Sequence, residues 1–172
     1  MVIKAMFFLA FLALLLGGCA STPPAPPVTA PDEVTPFTGL PPASLPPTLR
    51  EEIAFVALSL LGKPYATAGA SPETGFDCSG LVAYVYRQAS RLNLPRNTFD
   101  QARAGAAVPM SALEPGDLVF YNTQSRDFSH VGIYLGESRF IHAPSTGGYV
   151  RIENMRAGYW TARFNGARRV AF

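Results

Sequence analysis

Cys78 lies in Gly75-Phe76-Asp77-Cys78-Ser79-Gly80-Leu81, where a loop gives way to a helical pattern. A helix start carries partial positive charge, so a thiol there is expected to have a lowered pKa and to serve as a nucleophile. A nucleophilic thiol needs a base, and the base needs a third group to hold its tautomer. The chain has two histidines, His130 and His142, and they fill those places as base and orienting residue. Their separation of twelve sets a condition. Both fall in one predicted hairpin around Gly136-Glu137-Ser138, and side chains alternate faces along a strand. The two imidazoles share a face if the loop has odd length or a bulge lies near Glu137. A two-residue turn at Gly136-Glu137 would put them on opposite faces. The plainer alternatives are a buried structural cysteine and packed histidines with satisfied ring nitrogens. Polar Asp77 and Ser79 beside the thiol weigh against the first.

The other cysteine, Cys19, has a different fate. Lys4 is the only charge in the first thirty-one residues, and Ala5 to Leu16 is an unbroken apolar run. A positive start, a short apolar stretch and small residues describe a secretory signal peptide over residues 1–18. A membrane-spanning anchor is the alternative, but the run falls short of the roughly 20 residues a span takes. Leu16-Gly17-Gly18-Cys19 resembles a lipobox, the processing signal of bacterial lipoproteins. That resemblance implies that Cys19 becomes the first mature residue and carries lipid, palmitate included. Cys78 is then a lone thiol in an oxidising compartment, which is unusual. Ala20, rather than Asp, after the lipidated cysteine implies the periplasmic face of the outer membrane in a two-membrane cell. Between Ala20 and Pro47 stand ten of the sixteen prolines. Residues 19–47 therefore read as a stiff tether, rising about 3.1 Å per residue where extended. A proline-rich partner motif is the alternative.

The remaining residues, 48–172, must supply the fold. A chain of 172 residues with 48% apolar content suggests one domain plus appendages. Net charge is +2 with no basic run, which argues against a nucleic-acid binder. No Cys/His cluster has metal-ligand spacing, and no metal or organic cofactor is expected. The chain is read as a monomer.

Thr48-Leu49-Arg50-Glu51 is a capping-box pattern. Ile53, Val56, Ala57, Leu60 and Leu61 then form one apolar helix face, stopped by Gly62 and Pro64. Residues 65–75 read as a loop. A second helix runs from Cys78 toward Arg91 with Leu81, Tyr84, Val85 and Ala89 inward, and a short third covers 97–104. Strands are expected over 118–121, 131–135, 139–143, 149–152 and 168–172. Helices first and adjacent antiparallel strands after give an α+β class.

Several motifs in order then resemble the NlpC-type cell-wall endopeptidases. They are Gly62-Lys63-Pro64-Tyr65, Gly75 to Val82, Leu94-Pro95-Arg96 with Gln101, Pro115 to Phe120, Ser129 to Gly136 and Phe140-Ile141-His142-Ala143. The likeness covers roughly residues 49–172. It implies a papain-like fold, N-terminal helices packed on an antiparallel sheet, and hydrolysis of peptidoglycan stem peptides. The implied bond joins the γ-carboxyl of D-glutamate to diaminopimelate. The resemblance assigns the nucleophile to Cys78, the base to His130 and the orienting residue to His142. It places Tyr65 near the oxyanion and Asp77 and Ser79 along the substrate cleft. One departure is Ala70, where the family often has a second glycine after Gly69. A wall-binding module without hydrolysis and a muramoyl-alanine amidase remain the rivals.

Overall fold

Thr48 opens the described part of the chain, residues 48–171 of a computed structural model. The expected signal peptide, Cys19 and the proline-rich stretch to Pro47 lie outside the described residues. Helix α1, Leu49–Leu58, starts on a formed capping box: the Thr48 hydroxyl accepts the Glu51 N–H, and the Glu51 carboxylate accepts the Thr48 N–H. Such a box satisfies N–H groups that a helix start leaves open. Ile53, Ala57 and Leu60 are buried, as the periodicity predicts. Leu61 is not, being 43% exposed. The chain has already left the helix there, through i→i+3 bonds at Leu60 and Leu61, and Gly62 turns it at φ +77°.

Helix α2, Cys78–Ser90, is capped by Asp77 and ends on Arg91 in the left-handed region. Leu81, Val82, Val85 and Tyr86 form its buried face, while Tyr84 and Ala89 are half-buried. Helix α3 is shorter than expected, Thr98–Gln101, with Asn97 as its cap. The segment read as a loop over 65–75 contains a small antiparallel pair, β1 Ala70–Ser71 with β2 Gly75–Phe76.

The main sheet has six antiparallel strands in the order β3-β8-β4-β5-β6-β7. They are β3 Ala106–Val108, β4 Leu118–Tyr121, β5 His130–Gly136, β6 Arg139–His142, β7 Arg151–Asn154 and β8 Phe164–Arg169. Three placements correct the sequence reading. β7 begins two residues later than expected, because Tyr149 and Val150 pair instead with the 62–65 segment: Val150 N–H donates to Lys63 O and Gly62 N–H to Val150 O. β8 covers 164–169 rather than 168–172: Phe164 and Gly166 already pair with Tyr121 and Phe120 of β4, with a register shift between them at Asn165. β3 and the four-residue helix α4, Gly158–Thr161, were not anticipated.

Helices α1 and α2 bury one sheet face through Leu118, Phe120, Val131, Ile133 and Ile141. The opposite face carries Val119, Tyr121, Phe140, Met155 and Trp160. Buried Asp117 ties the layers. Arg169 grips its carboxylate at 2.9 and 2.8 Å, and Arg50 of α1 reaches it at 3.4 Å. A carboxylate out of water needs such partners.

Candidate active site

Three segments converge on the first turn of α2. The Asp77 carboxylate accepts the Gly80 N–H at 2.7 Å, which caps the helix, and accepts the Ser79 hydroxyl at 3.1 Å. Arg96 comes from the segment before α3 and grips both Asp77 oxygens, at 2.8 and 2.9 Å. Its other bonds reach Ser79 Oγ and Gly69 O. Gly80 is required by this crowding: a Cβ there would lie 2.1 Å from Gly69 O and 2.8 Å from Arg96 Nη2. Gln101, fully buried, donates from Nε2 to Ser79 O and Pro95 O, fixing the Arg96 segment against α2. Tyr65 is held beside the same turn by backbone pairing with Phe76 and by its N–H to Gly148 O.

The two histidines meet on the far side. His130 Nε2 and His142 Nδ1 are 2.7 Å apart, and both rings are buried. The condition set by their spacing is met in a specific way. The hairpin closes on a two-residue turn, Glu137-Ser138, with φ +51° and +59°. Gly136 pairs with Arg139, but Tyr134 pairs with Phe140, so Leu135 forms a bulge. The pairing beyond the bulge puts His130 and His142 on one face, whereas the register of the turn alone would separate them. The Trp160 ring lies nearly parallel to His130 at 27° and edge-on to His142 at 87°. Since His130 spends Nε2 on His142, its Nδ1 is the nitrogen left to exchange a proton. For Nδ1 to accept, Nε2 must carry hydrogen and donate to His142 Nδ1. His142 then carries its proton on Nε2, a buried atom without a hydrogen-bond partner among the described residues. Phe140 and Trp160 surround that ring, and aromatic faces are weak acceptors for such an N–H.

Cys78 reaches the histidine strand through the backbone. The Val131 N–H, next to His130, faces its sulfur and favours the thiolate. Burial pushes the Cys78 thiol pKa up, and the Asp77 charge adds to this. The N–H groups of Val131, Ser79 and Cys78 pull it down without prevailing. This corrects the expectation that the helix start lowers the thiol pKa: loss of water outweighs the aligned N–H groups. Tyr65 is raised by burial and by the Cys78 and Asp77 charges, so its hydroxyl keeps its proton. Asp77 loses water too, but Arg96 and the Gly80 N–H outweigh that and hold it below the usual carboxylate range. Burial depresses both imidazoles, and the Arg151 charge adds to the effect on each.

Tyr65, Cys78, Asp77, Ser79 and Arg96 share one cavity wall. His130 opens into a second cavity with Arg151, Glu153, Tyr159 and Trp160, and Gln124 borders both. Sequence reasoning missed this second group. The i, i+2 alternation of Arg151 and Glu153 was a usable signal, but α4, which brings Trp160, left none.

The chain is similar to known proteins in sequence and in fold. A family model described as the NlpC/P60 family matches residues 62–169. Murein DD-endopeptidase MepH of Escherichia coli K12 is 45% identical over 113 residues, covering 64% of this chain and 42% of the relative. Gamma-DL-glutamyl hydrolase of Bacillus subtilis 168 is 40% identical over 128 residues, 74% of this chain and 31% of the relative. The chain thus spans less than half the length of these relatives. A crystal structure of an NlpC/P60 family protein from Bacillus cereus matches with a TM-score of 0.66 at 32% identity, over 72% of this chain and 41% of that one. The fold is the papain-like α+β arrangement.

Proposed function

The chain belongs to the NlpC/P60 family, and on that premise we propose that it is a cysteine-type peptidoglycan endopeptidase cutting the γ-D-glutamyl–diaminopimelate bond of stem peptides. The observation that carries this reading is the Cys78 thiol at the start of α2, beside the strand that begins with the paired His130. In this scheme the thiol rests protonated and the imidazole rests neutral. The thiolate is made as substrate binds: the Cys78 proton passes to His130 Nδ1 while sulfur attacks the γ-carbonyl carbon. His142 holds the His130 tautomer. The Cys78 N–H and the Tyr65 hydroxyl face the oxyanion, and one such donor is typically worth about 3 kcal/mol. His130 returns the proton to the leaving amine. Water, deprotonated by the same imidazole, then hydrolyses the thioester. Asp77 and Ser79 wall the cleft and, with Arg96, fix the turn that carries the nucleophile.

The gamma-DL-glutamyl hydrolase relative supports the choice of bond. A second reading, hydrolysis of a D-alanyl cross-link, is favoured by the likeness to the DD-endopeptidase. Mass spectrometry of purified peptidoglycan digested by the protein separates the two, because each bond releases different muropeptides. Cys78→Ala should release none, and a fully active Cys78→Ala protein would overturn the scheme.

The lipobox ending at Cys19 supports an extracytoplasmic, lipid-anchored location, with residues 20–47 as the tether. Metabolic labelling with a palmitate analogue, lost in Cys19→Ala, tests it.

A further inference from the structure

Two cavities meet at Gln124, and each holds one reacting group. The nucleophile Cys78 lines one. His130 lines the other, a cavity of about 530 Å³. In acyl transfer the carbonyl must meet the sulfur, and the departing amine must meet the imidazole that protonates it. The acyl half of the substrate therefore lies on the Cys78 side and the amine half on the His130 side.

The His130 side carries charges that the reaction itself does not use. Arg151 pairs with His142 in the β6–β7 register, which places it one strand from the orienting residue and two from the base. Glu153 follows two residues later on the same face. Arg151 Nε donates to Glu153 Oε1 at 2.7 Å. Neither Nη group of Arg151 has a hydrogen-bond partner among the described residues, and the two side chains are 52% and 28% exposed. An ion pair this open to water contributes little by itself. It is therefore free to exchange its mutual bond for contacts to a ligand. A cation and an anion side by side complement one kind of group, a carbon bearing both a carboxylate and an ammonium.

We propose that this cavity is the leaving-group subsite, and that Arg151 and Glu153 read the free zwitterionic end of a diaminopimelate residue. The inference rests on the endopeptidase reading above. Diaminopimelate leaves with one nitrogen cleaved from the acyl group and a second centre bearing free ammonium and carboxylate. Lysine at the same place offers the ammonium alone. Glu153 serves either residue through the ammonium, and Arg151 discriminates through the carboxylate.

The test compares kcat/KM for two synthetic peptides that differ in one residue, γ-D-glutamyl-diaminopimelate against γ-D-glutamyl-lysine. The full-length protein should prefer the first. Arg151→Gln should lower the ratio of the two values about tenfold, the worth of one charge-assisted contact. Glu153→Gln should lower both values and leave the ratio within about twofold of its starting value. Using the ratio cancels any effect of Arg151 on the His130 protonation state, because both substrates share it. If the unaltered protein cleaves neither peptide, the γ-D-glutamyl assignment of the bond fails. If it cleaves both equally, or if Arg151→Gln keeps the ratio, the subsite assignment is overturned and the hydrolase stands. The rate of Cys78 alkylation by iodoacetamide in each variant checks that the site remains folded.

Discussion

Gly132 lies against His142 across the β5–β6 hairpin, and a side chain there would collide with what holds the imidazole. A Cβ on Gly132 would stand 2.6 Å from the Phe140 ring, 2.8 Å from the Ile141 carbonyl oxygen and 3.3 Å from the His142 Cβ. The carbonyl is backbone, so the strand itself must give. Gly132→Ala should therefore cost about 1–3 kcal/mol of stability, the usual range for overpacking a core. It should also lower kcat at least tenfold at temperatures where the variant is folded, because His142 shifts under His130. Urea unfolding and turnover of a muropeptide substrate measure the two effects. Normal turnover in a destabilised Gly132→Ala protein would show that His142 placement does not set the rate.

That hairpin also marks how far the sequence could be read. Counting from His130 to His142 showed that an odd loop or a bulge was needed, since a one-residue shift moves a strand's side chains to the other face. It did not show where. The bulge falls at Leu135, an ordinary apolar residue beside a two-residue turn of left-handed Glu137 and Ser138. Nothing in those side-chain types announces it. α1 and α2 were legible because caps and apolar spacing are local. β7 was displaced because Tyr149 and Val150 pair with residues 62–65, a partner more than eighty positions away. Cys78, Asp77 and Ser79 were read from the motif around Cys78, and Tyr65 from the Gly62-Lys63-Pro64-Tyr65 motif that carries the family resemblance. Trp160 reaches the site by tertiary packing that no local pattern reports, while Arg151 leaves only its i, i+2 alternation with Glu153.

The hydrogen bond between His130 Nε2 and His142 Nδ1 requires an acceptor at position 142, not an imidazole as such. His142→Asn offers an amide oxygen there, while His142→Leu offers nothing. His142→Leu should lose about 10³-fold in kcat, as when the orienting member of a triad is removed. His142→Asn should recover at least tenfold of that loss. A merely structural role would give both variants the same kcat once folded, and circular dichroism confirms folding at the assay temperature.

The pH dependence follows from the directions of the shifts. In the proposed scheme the active form holds one proton shared between Cys78 and His130. His130 is depressed by burial, so a second proton enters well below the ordinary value of 6.5. Cys78 is raised by burial, so the shared proton leaves above the ordinary thiol value of 9.0. The profile of kcat/KM should be a broad bell, flat across neutral pH, with its limbs reporting the pair and not either residue alone. An acid limb centred at or above 6.5 would contradict the buried neutral imidazole.

Arg96 neutralises a charge that would otherwise oppose ionisation of the Cys78 thiol. The Asp77 carboxylate raises the Cys78 pKa, and Arg96 pairs with that carboxylate at 2.8 Å. Removing the guanidinium in Arg96→Met leaves Asp77 opposing thiolate formation with nothing to balance it. Alkylation of Cys78 by iodoacetamide at fixed alkaline pH should then slow by about three- to tenfold, the effect of a like charge on an ionising group. The double variant Asp77→Asn with Arg96→Met should restore the rate. It removes the opposing charge, and asparagine still caps the helix by accepting the Gly80 N–H. If the single variant instead alkylated at the unaltered rate, solvent alone would be screening Asp77. If the double variant stayed slow, Arg96 would act by shaping the first turn of α2 and not by its charge.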